Sequence, residues 1–253
     1  MFKYEVLSDS VDAIASRNIV RSFANTALRL IGSEGRVATE RDRVLNKISI
    51  DIDYPFVVQI GANDGHFDDP LYSFLRSNPN AKGILVEPQL RPFESLKDLY
   101  GDRDNLVLIN AAVAGSNGKL TLWKPQLSLP EDKFGDSLAR INPVQIDSIM
   151  NRHPIRKIKG YSLESEEVEA VTLQKVFDES GIEPSIVDIF FCDTEGADIG
   201  IVNQLIDSGA RPKLLQYEHI LAIDDEVAML NRRLLALGYD LNWSYRDILA
   251  IAQ

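Results

Sequence analysis

Four short clusters in this sequence carry residues that could do chemistry. The first is Gly61-Ala62-Asn63-Asp64-Gly65-His66, a glycine-punctuated turn closing the apolar run Phe56-Val57-Val58-Gln59-Ile60. The second is Glu87, at the end of Gly83-Ile84-Leu85-Val86. The third and fourth are Cys192-Asp193-Thr194-Glu195-Gly196-Ala197-Asp198 and Gln216-Tyr217-Glu218-His219. Glycines adopt backbone angles closed to other residues and let a ligand approach main chain that a Cβ would shield, so the first turn is expected to cradle a cofactor. A carboxylate at a strand tip can accept hydrogen bonds from both hydroxyls of a ribose, which is the role expected of Glu87.

The dinucleotide fingerprint requires glycines at the first, third and sixth places of such a turn, so that a pyrophosphate can reach a helix N-terminus. Counted from Gly61, the third place is Asn63 and the sixth is His66. The fingerprint fails at both. A nucleoside cofactor without a pyrophosphate has less need of that close packing, and S-adenosylmethionine is one.

Three carboxylates within Asp193–Asp198 repel one another unless cations, hydrogen bonds or solvent compensate. The cluster could face a sulfonium or a divalent metal. Alternatively, acidic residues in a helix's first turn favour its dipole, with Asp193 or Thr194 as the cap. His219 is a candidate base for a substrate hydroxyl, histidine being the side chain suited to take a proton near neutral pH, or with Asp193 or Glu195 it could ligate a metal. His66 is a second candidate base; His153 carries no catalytic expectation. Cys192 is the single cysteine, which excludes an internal disulfide and a cysteine-rich zinc site, and its neighbours Ile189, Phe190 and Phe191 point to a buried thiol.

These clusters need elements to hold them, and the hydrophobic pattern supplies a strand-helix alternation from Tyr54 onward. Strands are expected at Phe56 to Ile60, Gly83 to Glu87, Leu106 to Asn110, Ser185 to Cys192 and Lys213 to Glu218. Helices are expected at Pro70 to Ser77, Arg91 to Tyr100, Thr172 to Ser180, Ala197 to Ser208 and Asp224 to Leu237. Tyr239 to Ser244 and Asp247 to Ala252 are joined so tightly that they should be antiparallel. This makes an α/β, Rossmann-like fold of seven mostly parallel strands with an antiparallel strand near the C-terminus and helices on both faces. Every chemical cluster then falls at the carboxyl edge of the sheet, where open α/β folds bind ligands.

Two regions interrupt the pattern. Residues 1–50 read as a helical extension, with an apolar stripe from Val11 to Ile31 and a shorter helix over Glu40 to Ile48, a cap for the cofactor end or a homo-oligomer contact. Ser116-Asn117-Gly118 before the alternating Lys119-Leu120-Thr121-Leu122-Trp123 signals a hairpin. Lys124 to about Glu167, proline-containing and weakly periodic, reads as an inserted lid or substrate region with a short helix near Pro143 to Arg152. The domain proper is expected to span 51–253.

At 253 residues with 45% apolar and 26% charged content, the chain has the composition of a globular domain. No apolar run approaches the roughly 20 residues that span a bilayer. The first residues lack the apolar segment of a signal peptide, so the expected location is the cytoplasm. A net charge of −11 disfavours nucleic acid and anionic membranes as partners.

Taken in order, Gly61-Ala62-Asn63-Asp64-Gly65, Val86-Glu87-Pro88, Asn110-Ala111-Ala112-Val113, Asp193-Thr194-Glu195-Gly196-Ala197-Asp198 and Tyr217-Glu218-His219 resemble the motifs of the FkbM-type methyltransferases. The resemblance covers Phe56 to the C-terminus. It implies S-adenosylmethionine as donor and methyl transfer to a hydroxyl of a sugar, glycan or natural product. It places cofactor binding on Gly61, Ala62, Asn63, Asp64, Gly65, Glu87, Pro88, Asn110, Ala111 and Asp193, and catalysis on His219, Asp193 and Glu195. Gln59 stands where many members have an acid, and Phe191 where many have a lysine. A donor-binding scaffold without catalysis and a nicotinamide-dependent oxidoreductase are the alternatives, the latter disfavoured by Asn63 and His66.

Overall fold

The computed structural model describes residues 35–126, 139 and 162–253. The expected helices over Val11 to Ile31 and Pro143 to Arg152 lie outside the described residues. Helix α1 (35–51) leads into β1 (Phe56–Ile60), α2 (Tyr72–Ser77), β2 (Lys82–Val86), α3 (Leu90–Tyr100) and β3 (Leu106–Ile109). Then come β4 (Ala112–Val113), β5 (Gly118–Gln126), β6 (Ser162–Val171), α4 (Leu173–Ser180) and a 3-10 turn at Pro184–Ile186. β7 (Ile189–Cys192), α5 (Asp198–Asp207), β8 (Leu214–Glu218), α6 (Asp224–Ala236), β9 (Tyr239–Trp243) and β10 (Asp247–Ala252) complete the chain.

The main sheet has the order β3-β2-β1-β7-β8-β10-β9. It is parallel from β3 to β8, while β10 runs antiparallel to both β8 and β9. This is the expected α/β, Rossmann-like arrangement. The chain runs outward from β1 to β3 and then returns to β7 on the other side of β1, so the carboxyl ends of β1 and β7 flank the switch point where such sheets take ligands.

Uninterrupted apolar strands follow from burial on both faces. Phe56, Val58 and Ile60 of β1 join Ile84, Val86, Phe190 and Cys192 in one core, whereas Val57, Leu85, Ile189 and Phe191 belong to the other. The first core is closed by α4, α5 and α6 through Phe177, Val202, Leu205, Leu230 and Leu234. The second is closed by α1, α2 and α3 through Val44, Leu45, Ile48, Leu75, Leu96 and Tyr100. Each large apolar side chain so buried contributes about 1.5–3 kcal/mol. A one-residue slip in β1 would exchange all five side chains between faces, so the register is tightly specified. Part of the N-terminal extension is therefore a structural layer of the domain: α1 packs its apolar positions directly under the sheet.

The accessory sheet differs from expectation. Its order is β4-β6-β5, with β5 and β6 paired antiparallel from Gly118↔Ala170 to Gln126↔Ser162 and β4 parallel to β6. The Ser116-Asn117-Gly118 turn thus joins two strands that do not pair with each other; β6 lies between them. β6 occupies ground expected to be insertion, because its sequence is acid-rich and only its last residues, from Val168, are mostly buried. β5 and β6 thus take up residues 124–126 and 162–167 of the stretch expected to be an insertion. Gln204 of α5 anchors the accessory sheet, donating to the Ala114 carbonyl (3.0 Å) and accepting from the Leu173 N–H (2.9 Å). Among the described residues, no helix is long and apolar enough to cross a membrane.

Candidate functional site

The turn after β1 is wound by three residues in the left-handed region, Gly61 (φ 81°), Asn63 (φ 49°) and Gly65 (φ 69°). The Gly61 and Ala62 N–H groups both donate to the Val86 carbonyl, at 2.9 and 3.0 Å. A Cβ at Gly61 would lie 1.9 Å from the Asp193 carbonyl oxygen, and one at Gly65 would lie 2.6 Å from Leu96 Cδ1. Both glycines therefore let the turn close on the protein's own neighbours, which corrects the expectation that they clear space for a ligand. Asp64 is buried, and its Oδ1 accepts from the His66 and Phe67 N–H groups (2.9 and 2.7 Å), shaping the end of the turn. His66 is exposed and sets its ring edge-on to Tyr72 at 4.5 Å.

Glu87 faces this turn. It is buried, and its two oxygens accept from main chain on opposite sides: Oε2 from Asn63 N–H and Oε1 from Gln89 N–H, each at 2.9 Å. These bonds fix the carboxylate against the cradle. Asn110 holds the loop from the far side, its Nδ2 donating to the Glu87 and Pro88 carbonyls (2.9 and 3.0 Å). Ala111 is a core residue, its side chain packed in the first core. Behind the turn, the buried Gln59 donates to Asp69 Oδ1 at 3.3 Å, while Gln59 Oε1 and Asp69 Oδ2 have no hydrogen bond. Burial pushes the Asp69 carboxyl up to about 6. Phe191, at the other unusual position, packs in the second core.

The acidic edge follows β7. Glu195 has φ 60°, an uncommon conformation for a residue with a side chain, and Gly196 follows at φ 123°. Asp198, in the first turn of α5, holds this bend by accepting from Thr194 N–H (3.2 Å), Thr194 Oγ1 (2.9 Å) and Gly196 N–H (3.2 Å). Neither Asp193 nor Thr194 caps the helix: the N-cap is Ala197, with no side-chain bond. Burial, then the charge of Glu218, raises the Asp198 carboxyl to about 6. Asp193 stays open to solvent at one side but is otherwise crowded, and burial followed by the charges of Glu218 and Asp198 pushes it up to about 8, against the pull of Arg246. Cys192 is a buried thiol, pushed well up by burial, as its apolar neighbours led us to expect.

One carboxylate oxygen from each of Asp193, Glu195 and Glu218 lies within 4.8 Å of the other two. The structure thus brings together Asp193 and Glu195 as expected, and adds Glu218. His219 is not one of the three. Its Nε2 lies 3.3 Å from the Ser244 carbonyl and its ring stands edge-on to Trp243 at 5.4 Å. A carbonyl can only accept, so Nε2 carries the proton and Nδ1 keeps the lone pair in the neutral ring. Glu218 Oε1 accepts from Arg246 Nη2 and Nε at 2.9 and 3.2 Å. Sequence reasoning gave neither residue a role of its own. Glu218 was overshadowed by the adjacent histidine, and Arg246 is brought to it by the Asp247↔Glu218 pairing of β10 with β8.

The doubly wound sheet with its one reversed strand is the arrangement of a Rossmann-like methyltransferase. The sequence matches the family model described as Methyltransferase FkbM domain over residues 59–241, and the chain belongs to that family. Among solved structures it is similar to precorrin-6y C5,15-methyltransferase from Geobacter metallireducens, with 11% identity, a TM-score of 0.40, and coverage of 84% of this chain and 87% of that one. A methyltransferase from Geobacter sulfurreducens has 13% identity and a TM-score of 0.40, over 88% of this chain and 87% of that one. Fibrillarin from Aeropyrum pernix, in complex with natively bound S-adenosyl-L-methionine, has 11% identity and a TM-score of 0.37, over 79% and 68%. No curated protein matches the sequence.

Proposed function

We propose that the protein is an O-methyltransferase acting on a hydroxyl of a sugar, glycan or natural-product acceptor, with S-adenosylmethionine as donor. The observation that carries the donor half is the placement of Glu87 against the Asn63 N–H. A carboxylate offers about four acceptor sites, so one held by main-chain bonds on two sides is already oriented to receive ribose hydroxyls. Gly61 to Gly65 would hold the amino-acid end of the donor, and the Glu87 to Asn110 edge its nucleoside. When bound, S-adenosylmethionine supplies a methyl group on a positively charged sulfur.

Asp193 and Glu195 would orient the acceptor hydroxyl. His219 Nδ1 would take the proton of the acceptor hydroxyl, and the hydrogen bond from Nε2 to the Ser244 carbonyl favours the tautomer with that lone pair. Alignment supplies most of the rate in such a displacement. The insertion carried by the β5–β6 hairpin would choose among acceptors.

The test is methyl transfer to a panel of sugars and polyhydroxylated natural products, read by mass spectrometry, for the wild type and His219→Ala. Products heavier by one methylene, and a variant slowed about 10²–10⁴-fold with its acidic pH limb lost, are expected. Donor binding with no transfer to any acceptor would favour a non-catalytic scaffold, and an unchanged pH profile in the variant would exclude His219 as the base.

A further inference from the structure

The acidic edge holds a feature that donor binding does not explain. Glu218 is 3% exposed, yet one oxygen takes both Arg246 bonds and the other, Oε2, has no hydrogen bond. A buried carboxylate oxygen left in this way is costly unless something else binds it. Its carboxylate also converges with those of Asp193 and Glu195 to within 4.8 Å, and Arg246 brings one positive charge to the three.

We propose that Asp193, Glu195 and Glu218 form a binding site for a hard divalent cation. Three carboxylate oxygens with no nitrogen or sulfur among them suit Ca²⁺, Mg²⁺ or Mn²⁺ and disfavour zinc and copper. Oxygens on opposite sides of Ca²⁺ are about 4.6–5.2 Å apart and those across Mg²⁺ about 4.0–4.2 Å, from the usual bond lengths. Three oxygens that share one ion sit closer together than an opposed pair, so a spacing of up to 4.8 Å is brought onto such an ion by a slight closing of the side chains. With three protein ligands, such an ion keeps positions for water and for one substrate oxygen. This role rests on the methyl-transfer reading: the cation holds the acceptor hydroxyl and lowers its pKa, and His219 removes the proton. Asp193 also borders the donor turn, since its carbonyl fills the space beside Gly61.

The experiment strips the full-length protein with a chelator and titrates it with Mn²⁺, followed by electron paramagnetic resonance and by calorimetry with Mg²⁺ and Ca²⁺ in competition. One Mn²⁺ per chain is expected, weakened at least about tenfold by Glu218→Gln. Because that change also disturbs Arg246, Glu195→Gln, at a half-buried position, is the second variant and is expected to weaken binding similarly with an unchanged circular dichroism spectrum. No divalent binding below millimolar concentration, or equal binding in wild type and both variants, overturns the site. S-adenosylmethionine is titrated separately into the stripped protein. Donor binding without cation binding removes this site alone, whereas cation binding without donor binding keeps the site and removes the methyl-transfer reading.

Discussion

Gly61 and Asp193 are packed main chain to main chain: a Cβ on the glycine would lie 1.9 Å from the aspartate's carbonyl oxygen. The turn after β1 and the turn after β7 are thus packed together at the switch point. Gly61→Ala combines this clash with a positive φ, and backbone strain alone costs on the order of 1–3 kcal/mol. We expect the melting temperature to fall by about 5 °C or more, since 1 kcal/mol is worth about 2–4 °C in a chain of this length. Gly115→Ala, where a Cβ meets nothing within 4 Å, is the control and should melt with the wild type. Equal melting of the two variants would contradict the packing.

Asp69 gives a pH dependence with a definite sign. Burial raises its carboxyl in the folded chain from 3.8 to about 6. Between these values the folded chain holds a proton that the unfolded chain releases, so this residue's contribution to stability falls as pH rises from about 4 to 6 and stays low above. The difference is on the order of 3 kcal/mol. Asp69→Asn keeps an oxygen for the Leu71 N–H, now at 2.6 Å, and removes the titration. Urea unfolding at a series of pH values should show the variant gaining on the wild type through that window; parallel stability curves would refute it.

Glu166 ties the accessory hairpin to the loop after β2. Its Oε1 accepts from the N–H of Leu90, the first residue of α3, at 3.0 Å, one residue beyond the Gln89 N–H that holds Glu87. The N-cap residue Gln89 makes no side-chain cap bond, so Glu166 supplies that function from β6. Glu166→Ala should cost about 1 kcal/mol of stability and weaken donor binding severalfold, while Glu166→Gln, which retains an acceptor, should do much less. Calorimetric titration of both variants decides this, and identical donor affinities would show that the contact is structural only.

Much of this architecture was legible because the strands flanking the switch point are buried on both faces and say so in unbroken apolar runs, such as Ile189-Phe190-Phe191-Cys192. Helix ends were equally plain where cap chemistry is local: Thr172 accepts from Lys175 N–H, and Gly181 takes φ 64°. What stayed hidden depends on pairing across long stretches of chain. β6 is a strand because β5 and β4 flank it, although its glutamates argue against one. The same holds at the site. Glu87 could be singled out from its place at a strand tip, but the Arg246–Glu218 ion pair exists only once β10 has docked beside β8. The reason for the two cradle glycines was likewise concealed, since the atoms crowding them belong to the turn after β7 and to α3.

The central claim is that the turn after β1 and Glu87 together hold S-adenosylmethionine, and isothermal titration of the donor into wild type and Glu87→Ala measures it most directly. One donor per wild-type chain is predicted, with affinity reduced about 10–100-fold in the variant, the worth of one or two hydrogen bonds to a charged acceptor. A folded wild type that takes up no donor, or a variant that binds it equally well, would contradict the account.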